Sequence, residues 1–291
     1  MAGMERHRET GKPPWLKVTA CGGRRYLEVL SLIREKHLHT VCQEANCPNR
    51  GECFSSGTAT FMILGRDCTR RCTFCNVRHG RPSAVDPAEA ERVAEAASVL
   101  ELRHVVVTSV TRDDLDDGGA EHFARVIGEL RVRCPGASVE VLTPDFKGVE
   151  KDIETVLRAG PEVFNHNVET VPELYGEVRP GADYDCSLGV LRSASAAGAA
   201  AVKSGVMVGL GESRAQLLRV FRDLQAAGVQ YLTIGQYLSP SRAHHPVIRY
   251  YHPSEFDDLA AAAEGAGIEH VYSGPLVRSS YHAGEQYFRG Q

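Results

Sequence analysis

The sequence predicts an α/β fold, a partial (β/α)6 TIM-like barrel, and two observations support this prediction. Six short β-rich runs alternate with segments long enough to be helices, a pattern typical of parallel strands joined by right-handed crossovers. The chain has 291 residues, 43% of them apolar, which favours one large domain with a sizeable core. Six units are fewer than the eight of a complete barrel, so the predicted barrel is partial.

The predicted strands and helices alternate along the chain. Strands are predicted for the β-rich runs at residues 61–65, 104–108, 138–142, 162–166, 202–208 and 230–235. Helices are predicted between them, at residues 87–101, 119–133, 149–159, 185–198 and 213–228. A further helix over residues 253–264 and a strand-like IEHVY lead into the tail. The first 40 residues are expected to wrap the barrel, with LEVLSLIREKHL as their one helix.

Composition and charge exclude several classes of protein. The formal net charge of −4 and the pI near 6.3 give no basic footprint typical of nucleic-acid binding. No apolar run reaches the roughly 18 residues that cross a bilayer, and the charged start MAGMERHRETGKPPWLKV lacks the apolar stretch of a secretory signal. We therefore expect a cytoplasmic protein with no nucleic-acid or membrane partner, whose reduced cysteines bind metal.

Six of the nine cysteines fall in two triplets, and this is the main functional signal of the chain. The first triplet is Cys42, Cys47 and Cys53, and the second is Cys68, Cys72 and Cys75. Three thiolates fill three corners of an iron–sulfur cube and leave the fourth iron open to another ligand. Cys21, Cys134 and Cys186 fit no ligand spacing and are expected to be buried structural thiols.

The second triplet has the spacing C-x3-C-x2-C. This spacing matches neither the C-x2-C pairs of structural zinc sites nor the cysteine run of ferredoxins. The alternative interpretation is a zinc knuckle of unusual spacing or a chance cluster of thiols. It resembles the signature of radical S-adenosylmethionine (SAM) enzymes. The resemblance implies that the amino and carboxylate groups of SAM bind the fourth iron, and that Phe74, before the last cysteine, packs near the adenine.

The first triplet, C-x4-C-x5-C, is less specific, because irregular spacing also suits zinc. Its position directly before the first barrel strand predicts that the two sites are neighbours. Here the chain resembles the lipoyl synthase family, whose cluster layout matches TVCQEANCPNRGECFSSGTATFMILGRDCTRRCTFCNVRHGRP. The resemblance extends from residue 12 to about residue 285 through the blocks KPPWLKV, TSVTRDDLDDGG, VFNHNVET, RPGADY, VKSGVMVGLGE, GQYLSPSR and GPLVRSSYHAGE. Thr73 and Asn76 replace an expected proline and aspartate, and neither change removes a ligand.

The resemblance implies a radical SAM sulfurtransferase of lipoate biosynthesis. Its reaction inserts two sulfur atoms, at C6 and C8, into an octanoyl group on a lysine of a lipoyl carrier protein. The implied cofactors are SAM and two 4Fe–4S clusters, with the auxiliary cluster as the sulfur donor. The second triplet would hold the SAM cluster, and Cys42, Cys47 and Cys53 would hold the auxiliary cluster together with Ser279 of the RSSY motif. Ser280 remains the alternative serine.

Three further segments are candidates for binding SAM. In TSVTRDDLDDGG, the resemblance assigns Asp117, Gly118 and Gly119 to the amino end of SAM. A calcium-binding loop is excluded, because Leu115 and Ala124 stand where such a loop needs ligands to the ion. A solvated loop is the simpler alternative.

The polar residues of VFNHNVETV alternate along a predicted strand, which sends them to one face. Either that face is exposed to solvent, or it is directed into the barrel. In the barrel, Asn165, Asn167 and Glu169 could contact SAM or substrate. His166, on the opposite face, is expected to be structural. Lys203 and Ser204 are expected to point inward as well. A buried Lys203 needs a carboxylate or a ligand oxygen nearby.

The expected partners also follow from the resemblance. They are octanoylated carrier domains (the E2 subunits of 2-oxoacid dehydrogenases and the glycine cleavage H protein), a flavodoxin- or ferredoxin-type electron donor, and an iron–sulfur cluster carrier. Arg70, Arg71 and Arg81 near the second triplet could meet an acidic carrier domain. The predicted domains are residues 1–60 with the auxiliary-cluster motif, residues 61–270 as the barrel, and residues 271–291 as the tail with RSSY.

Two other functions remain possible on the sequence. The first is another radical SAM enzyme, whose second cluster relays electrons or anchors the substrate. The second is a zinc-stabilised binding module without catalysis. The first predicts that the second cluster survives turnover. The second predicts bound zinc and indifference to SAM.

Overall fold

The computed structural model describes residues 11–18 and 20–290. The segment MAGMERHRETGKPPWLKV, in which no secretory signal is expected, lies partly outside the described residues. Its positions 1–10 are not among them. The described residues form one sheet with helices packed along it. Its eight strands follow chain order, β1-β2-β3-β4-β5-β6-β7-β8. β1 pairs antiparallel with β2, and every later neighbouring pair is parallel.

The strands agree closely with the prediction. They are β1 His39–Thr40, β2 Thr60–Ile63, β3 His104–Ser109, β4 Ser138–Leu142, β5 Val163–Asn165, β6 Val202–Val208, β7 Tyr231–Gln236 and β8 His270–Gly274. Each strand from β2 to β7 is followed by a helix, which confirms the six β/α units. Within the described residues no strand pairing joins β1 to β8, so the sheet is an open, partial barrel.

The helices divide into those of the six units and those of the two extensions. The helices α1 Arg24–Glu35, α2 Val41–Glu44 and α3 Arg50–Ser55 precede the barrel, and α11 Ala283–Arg289 ends it. The units contribute α4 Glu89–Val99, α5 Ala120–Arg133, α6 Glu150–Arg158, α7 Tyr175–Val178, α8 Tyr184–Ala196, α9 Arg214–Ala226 and α10 Pro253–Gly265. Two 3-10 turns, Phe146–Gly148 and Pro172–Leu174, complete the βα loops after β4 and β5.

Burial on both faces of the sheet explains why the strand sequences are almost continuously apolar. Every residue of TFMI in β2 and of YLTIGQ in β7 is buried, as parallel strands covered by helices require. The helix α9 shows the matching pattern on its inner side, at Leu217, Val220, Phe221 and Leu224. Each such side chain contributes about 1.5–3 kcal/mol when it leaves water.

The helix α11 covers the barrel at the amino ends of its strands. The Tyr287 ring stacks on His104, the first residue of β3, with 5.7 Å between ring centroids. The Tyr272 hydroxyl donates to the Gln286 carbonyl at 3.0 Å, and Gln286 itself is buried. The tail between β8 and α11 is therefore held at both ends, and its middle is the RSSY segment.

Candidate active site

The second cysteine triplet lies in the loop after β2, at the carboxyl end of the sheet, where parallel α/β barrels carry their chemistry. The loop is closed by two backbone hydrogen bonds, from Cys68 N–H to the Arg78 carbonyl at 2.8 Å and from Gly80 N–H to the Cys68 carbonyl at 3.0 Å. A third joins Cys75 N–H to the Cys72 carbonyl at 3.1 Å. The loop is therefore a fixed, turned structure with three half-buried thiols.

The first triplet lies on short helices packed beside that loop. Cys42 is in α2 and Cys53 in α3, while Cys47 lies between them and donates its N–H to the Cys42 carbonyl at 3.1 Å. Asn76, directly after the second triplet, donates its side-chain N–H to the Glu44 carbonyl of α2 at 2.9 Å. This contact confirms that the two cysteine segments are neighbours.

Thiols in each triplet are held in surroundings that disfavour free thiolates, namely those of Cys42, Cys53, Cys72 and Cys75. Burial raises the pKa of Cys42 to about 11, and the nearby Cys47 adds like-charge repulsion. Burial likewise raises the pKa of Cys53 and of Cys75 to about 12, again with repulsion from the other thiols of each triplet. A cationic iron–sulfur core would relieve this repulsion, because its ligands bind as thiolates.

The arrangement of the thiols fits a cluster. Among the described residues no three His, Cys, Asp or Glu side chains converge as the ligands of a single metal ion. In a 4Fe–4S cluster each thiolate binds a different iron, so the thiols of a triplet need not meet at one point. In each triplet, three buried or half-buried thiols on short fixed segments are the donor set that such a cluster requires.

The tail brings Ser279 into the barrel interior. Asn167 Nδ2 donates to Ser279 Oγ at 2.8 Å, and Ser279 Oγ lies 3.0 Å from Asn167 Oδ1 and 3.5 Å from the Thr233 hydroxyl. Gly205 makes room for this group, since a Cβ there would lie 2.7–2.8 Å from all three side chains. Ser280 is half-buried beside it.

The same tail is bound to the helices of the first triplet. Asn49 Nδ2 donates to the Leu276 carbonyl at 2.7 Å, and the Tyr281 hydroxyl donates to Glu52 Oε1 at 2.8 Å. The half-buried Arg278 lies within electrostatic range of Cys47. The structure therefore brings the RSSY segment to the first triplet, and these two hydrogen bonds join residues that are 227 and 229 positions apart in the chain.

Lys203 has the carboxylate partner that its burial predicted. Its Nζ lies 3.0 Å from Glu140 Oε1, and both side chains are almost fully buried. Asn165 Nδ2 donates to the same Glu140 oxygen at 3.0 Å, and His104 Nε2 lies 3.3 Å from the other. Burial alone would raise the pKa of Glu140, but the charge of Lys203 and these hydrogen bonds lower it to about 2.

Sequence reasoning missed Glu140, although a signal was present. The strand SVEVL places one charged residue among valines, and its side chain alternates with theirs toward the barrel interior. The inward direction expected for Ser204 is wrong. Gly205 faces Asn167 and Ser279, so its neighbour Ser204 points to the other side of β6, where its hydroxyl accepts the Val168 N–H at 3.4 Å.

Glu169, near the end of the NHNVET segment, is within electrostatic range of the buried Arg179 and the half-buried Arg278. Asn167 Nδ2 donates to its Oε1 at 3.1 Å, and burial raises the pKa of Glu169 despite the charges of Arg179 and Arg278. Arg179, which the sequence did not single out within RPGADY, donates to the carbonyls of Asn167 and Val168 at 3.1 Å. Its charge also reaches Cys72, so it joins this polar segment to the second triplet.

His166 has the structural role that was expected. Its Nδ1 lies 2.9 Å from the Thr143 carbonyl, it is buried, and burial lowers its pKa to about 4. Phe74 packs with Val178, Leu210 and Tyr237, and forms an apolar wall beside the second triplet.

The Asp-Gly-Gly segment directly precedes α5. Asp117 accepts the N–H groups of Gly119 at 2.9 Å and Glu121 at 2.8 Å, which caps the first helical turn. Gly119 has a positive φ of 94°, and a Cβ there would meet Leu64 at 2.3 Å. The geometry of this loop is thus explained by helix capping and close packing, and its predicted contact with SAM stays a prediction.

Two other expectations need correction. Arg70 is not a free surface arginine: its Nε lies 2.8 Å from Asp113 and its Nη2 2.7 Å from Asp145. Burial and these two carboxylates, 43 and 75 residues away, fix it under the loop. Cys21 is exposed rather than buried, because it precedes α1 outside the core. Cys134 and Cys186 are half-buried.

The open parallel barrel with a three-cysteine loop after its first parallel strand defines a class of enzyme. Residues 62–224 match the family profile described as the radical SAM superfamily. SuiB from Streptococcus suis, solved bound to S-adenosylmethionine, has a similar fold, with a TM-score of 0.54 at 12% identity over 84% of this chain. This chain spans 53% of that longer protein. The chain is a radical SAM enzyme.

Relatives of much higher identity define the particular family. The chain is 55% identical to lipoyl synthase of Methylococcus capsulatus over 277 residues, which cover 94% of this chain and 86% of the relative. It is 53% identical to lipoyl synthase of Nitrosomonas eutropha over 277 residues, or 94% of this chain and 88% of the relative. The chain belongs to the lipoyl synthase family. This confirms the resemblance, the sulfurtransferase class and the need for SAM and 4Fe–4S clusters. None of the described helices has the length and apolar character to cross a membrane.

Proposed function

We propose that the two cysteine triplets and the RSSY tail of this chain carry out the lipoyl synthase reaction. That reaction inserts two sulfur atoms, at C6 and C8, into an octanoyl group attached to a lysine of a lipoyl carrier domain. The observation that carries the proposal is the tail, which reaches the barrel interior at Ser279 and the helices of the first triplet at Asn49 and Glu52. A cluster used only as a remote electron relay would not need this connection.

The second triplet is assigned to the cluster that binds SAM. When bound and reduced, this cluster and SAM supply a carbon radical that removes hydrogen from unactivated C–H bonds, which no side-chain base can ionise. Cys68, Cys72 and Cys75 hold it on a loop that backbone hydrogen bonds make rigid. Phe74 gives one wall of the site an apolar surface, and Arg179 places a buried positive charge beside Cys72.

The first triplet and a serine of RSSY are assigned to the auxiliary cluster. Cys42, Cys47 and Cys53 supply three thiolates, and Ser279 supplies an oxygen, which is a harder ligand than sulfur and suits iron less well. In the structure the Ser279 hydroxyl is paired with Asn167, so it must exchange that amide for iron. Ser280 is the alternative ligand. Arg278 brings a positive charge that stabilises anionic ligands near Cys47.

The remaining predicted contacts with SAM or substrate have unequal support. Asn167 and Glu169 have the most, because they are polar, adjacent to Arg179 and directed into the interior beside Ser279. Asn165 and Lys203 are engaged by Glu140, which favours a role in shaping the interior. Asp117, Gly118 and Gly119 lie at the carboxyl end of the sheet and remain candidates for the amino end of SAM, and Ser204 has the least support.

The physiological setting is also part of the proposal. The acyl substrate belongs to octanoylated carrier domains, and here we include both the E2 subunits of 2-oxoacid dehydrogenases and the glycine cleavage H protein. A flavodoxin- or ferredoxin-type protein supplies electrons, and an iron–sulfur carrier replaces the consumed cluster, all in the cytoplasm. Residues 1–60 and 271–291 act together as the auxiliary-cluster part, around the barrel of residues 61–270. The hydrogen bond from Tyr281 to Glu52 supports this assignment, because it joins the tail to the segment of the first triplet.

An octanoyl-lysine peptide tests the proposal. Anaerobically reconstituted protein, SAM and dithionite are incubated with the peptide, and its mass is followed. Gain of two sulfur atoms with loss of hydrogen supports the proposal. Formation of 5′-deoxyadenosine with an unaltered peptide contradicts the substrate and favours another radical SAM reaction.

A further inference from the structure

Arg179 is a buried cation whose hydrogen-bond partners among the described residues are uncharged. It is 8% exposed, and its Nη1 donates to the carbonyls of Asn167 and Val168 at 3.1 Å and to the Tyr175 hydroxyl at 2.9 Å. Its Nε is buried and has no hydrogen-bond partner in the described part of the chain. Glu169 lies within electrostatic range but accepts no hydrogen bond from it among these residues. Burial of such a group is costly, and an anionic neighbour offsets that cost.

The backbone places Arg179 beside the second triplet. Thr73 N–H donates to the Val178 carbonyl at 2.9 Å, and the Thr73 hydroxyl donates to the Glu177 carbonyl at 2.9 Å. Cys72 directly precedes Thr73 and Arg179 directly follows Val178, so these bonds join the segments that carry the thiol and the guanidinium. Burial raises the pKa of Cys72, and Arg179 exerts the strongest of the charge effects that lower it.

The other arginine whose charge acts on Cys72 is compensated. Arg70 acts on this thiol less strongly than Arg179 does. Its Nε lies 2.8 Å from Asp113, and its Nη2 lies 2.7 Å from Asp145. The charge of Arg70 is therefore largely cancelled by two carboxylates, whereas the charge of Arg179 keeps its effect at the thiol.

We infer that Arg179 raises the reduction potential of the cluster assigned to the second triplet, an inference that rests on the proposed function. When such a cluster accepts one electron from a low-potential reductant, its charge becomes more negative by one, and no bond is made or broken. A fixed, buried positive charge stabilises the reduced form more than the oxidised form, because salt screens it little. Local charge and hydrogen bonding are among the features that set the potential of a 4Fe–4S cluster.

The carboxylate of SAM is the competing partner for the unused Nε–H of Arg179. Both candidates are anionic groups beside the second triplet. The charge of Arg179 acts on Cys72 itself, which is a proposed ligand of the cluster, and this favours the cluster. An effect on the cluster is present without SAM, whereas a carboxylate site affects the affinity for SAM. A measurement without SAM therefore distinguishes the two.

A redox titration without SAM tests the inference. The parent protein is Cys47→Ala, so that the cluster of the second triplet is the one observed, and its reduced form is followed by electron paramagnetic resonance while dithionite sets the potential. Arg179→Gln removes the charge but keeps an amide that can donate to the same carbonyls. We expect the ratio of reduced to oxidised cluster at a fixed potential to fall about tenfold, a shift of about 59 mV for one electron.

Two control variants separate the charge of Arg179 from its hydrogen bonds. Arg179→Lys keeps the charge and should have a potential close to that of the parent. Tyr175→Phe removes an acceptor of Arg179 but leaves the guanidinium in place, so its potential should also stay unchanged. If Arg179→Gln does not fold, Arg179→Met takes its place with the same expected shift. A shift of equal size in Tyr175→Phe or Arg179→Lys overturns the inference, because hydrogen bonding is then the cause.

SAM cleavage at a controlled potential is the second measurement. At the midpoint potential of the parent, 5′-deoxyadenosine formation by Arg179→Gln should fall about fivefold, since the reduced fraction drops from one half to roughly a tenth. It should recover when the solution is made more reducing. An unchanged potential in Arg179→Gln overturns the inference, and weaker SAM binding in that case makes Arg179 the carboxylate site. Failure of the proposed function looks different: the potentials keep the expected order while an octanoyl peptide stays unaltered by the wild-type protein.

Discussion

The side chains of Asn167 and Ser279 form a reciprocal hydrogen-bonded pair, with Oγ 2.8 Å from Nδ2 and 3.0 Å from Oδ1. The pair joins the segment after β5 to a tail 112 residues further along the chain. It places a hydroxyl of RSSY inside the barrel mouth, on the same Asn167 amide that donates to Glu169. The tail is thus a structural part of the site, and its serines can be tested one at a time.

The variant Ser279→Ala should separate SAM cleavage from sulfur insertion. Loss of the oxygen removes the fourth protein ligand of the auxiliary cluster but leaves the second triplet intact. We expect 5′-deoxyadenosine to form while the octanoyl peptide gains no sulfur, as measured by mass spectrometry. Ser280→Ala is the matched control and should insert sulfur. If Ser280→Ala abolishes sulfur insertion and Ser279→Ala retains it, the ligand of the auxiliary cluster is Ser280.

The two triplets should also be separable by single cysteine variants. Cys47→Ala is expected to lose about half of the bound iron, to cleave SAM and to insert no sulfur, because only one of two clusters loses a ligand. Cys72→Ala is expected to abolish SAM cleavage. Cys134→Ala, a half-buried thiol outside both triplets, serves as the control and should keep both activities. Normal sulfur insertion by Cys47→Ala contradicts the assignment.

Gly205 should tolerate no side chain. An alanine Cβ would lie 2.7 Å from Asn167 Oδ1 and 2.8 Å from Ser279 Oγ, closer than real contacts allow. We expect Gly205→Ala to displace the tail and to lower sulfur insertion on the order of 100-fold, since small misplacements at a reaction centre are costly. Gly128→Ala, exposed on α5 with open space around it, should instead gain about 0.5–1 kcal/mol in free energy of unfolding. If Gly128→Ala lowers sulfur insertion as much as Gly205→Ala does, the steric account is contradicted.

The buried Lys203–Glu140 pair should matter for stability. Lys203→Met leaves the Glu140 carboxylate buried without its cation and should lower the free energy of unfolding by about 3–5 kcal/mol. The double variant Lys203→Met/Glu140→Gln removes both charges and should recover much of that loss. Urea unfolding followed by circular dichroism measures both. A double variant less stable than Lys203→Met would show that charge pairing is not the cause.

His166 should make the protein less stable in mild acid. Its pKa is about 4 in the folded chain and near 6.5 when unfolded, so the unfolded state binds more protons between these values. Its contribution to stability is therefore present above pH 6.5 and is lost as the pH falls toward 4, up to about 3 kcal/mol. We expect His166→Gln to lose less stability than the wild type between pH 7.5 and pH 5 in urea titrations. Parallel losses in the two proteins would contradict this assignment.

The fold was predictable because its signals are local. The strand β6, for example, was predicted at its exact bounds from a β-rich run between two helical patterns. The partner of Lys203 could be predicted as a carboxylate from the cost of a buried charge, but Glu140 lies 63 residues away and no local pattern names it. Ser204 was misplaced because an adjacent inward lysine and serine cannot share one face of a strand.

The site was predictable where ligand spacing carries the chemistry, as in Cys68, Cys72 and Cys75. It was not predictable where contacts join distant segments. Arg179 is an ordinary arginine in the sequence, and only the fold brings it to Asn167 and Cys72. Arg70 shows the opposite case. The sequence places it on an apparently exposed motif, but in the structure Asp113 and Asp145 from other loops bind it and cover most of its side chain.

The most direct test of the central claim uses sulfur isotopes. The protein is reconstituted so that its clusters carry ³⁴S-sulfide, and a single turnover with SAM, dithionite and octanoyl peptide is run in medium without labelled sulfur. The account predicts a peptide with two ³⁴S atoms and the loss of one cluster, that of Cys42, Cys47 and Cys53. A peptide with unlabelled sulfur, or a second cluster that survives turnover intact, would contradict it.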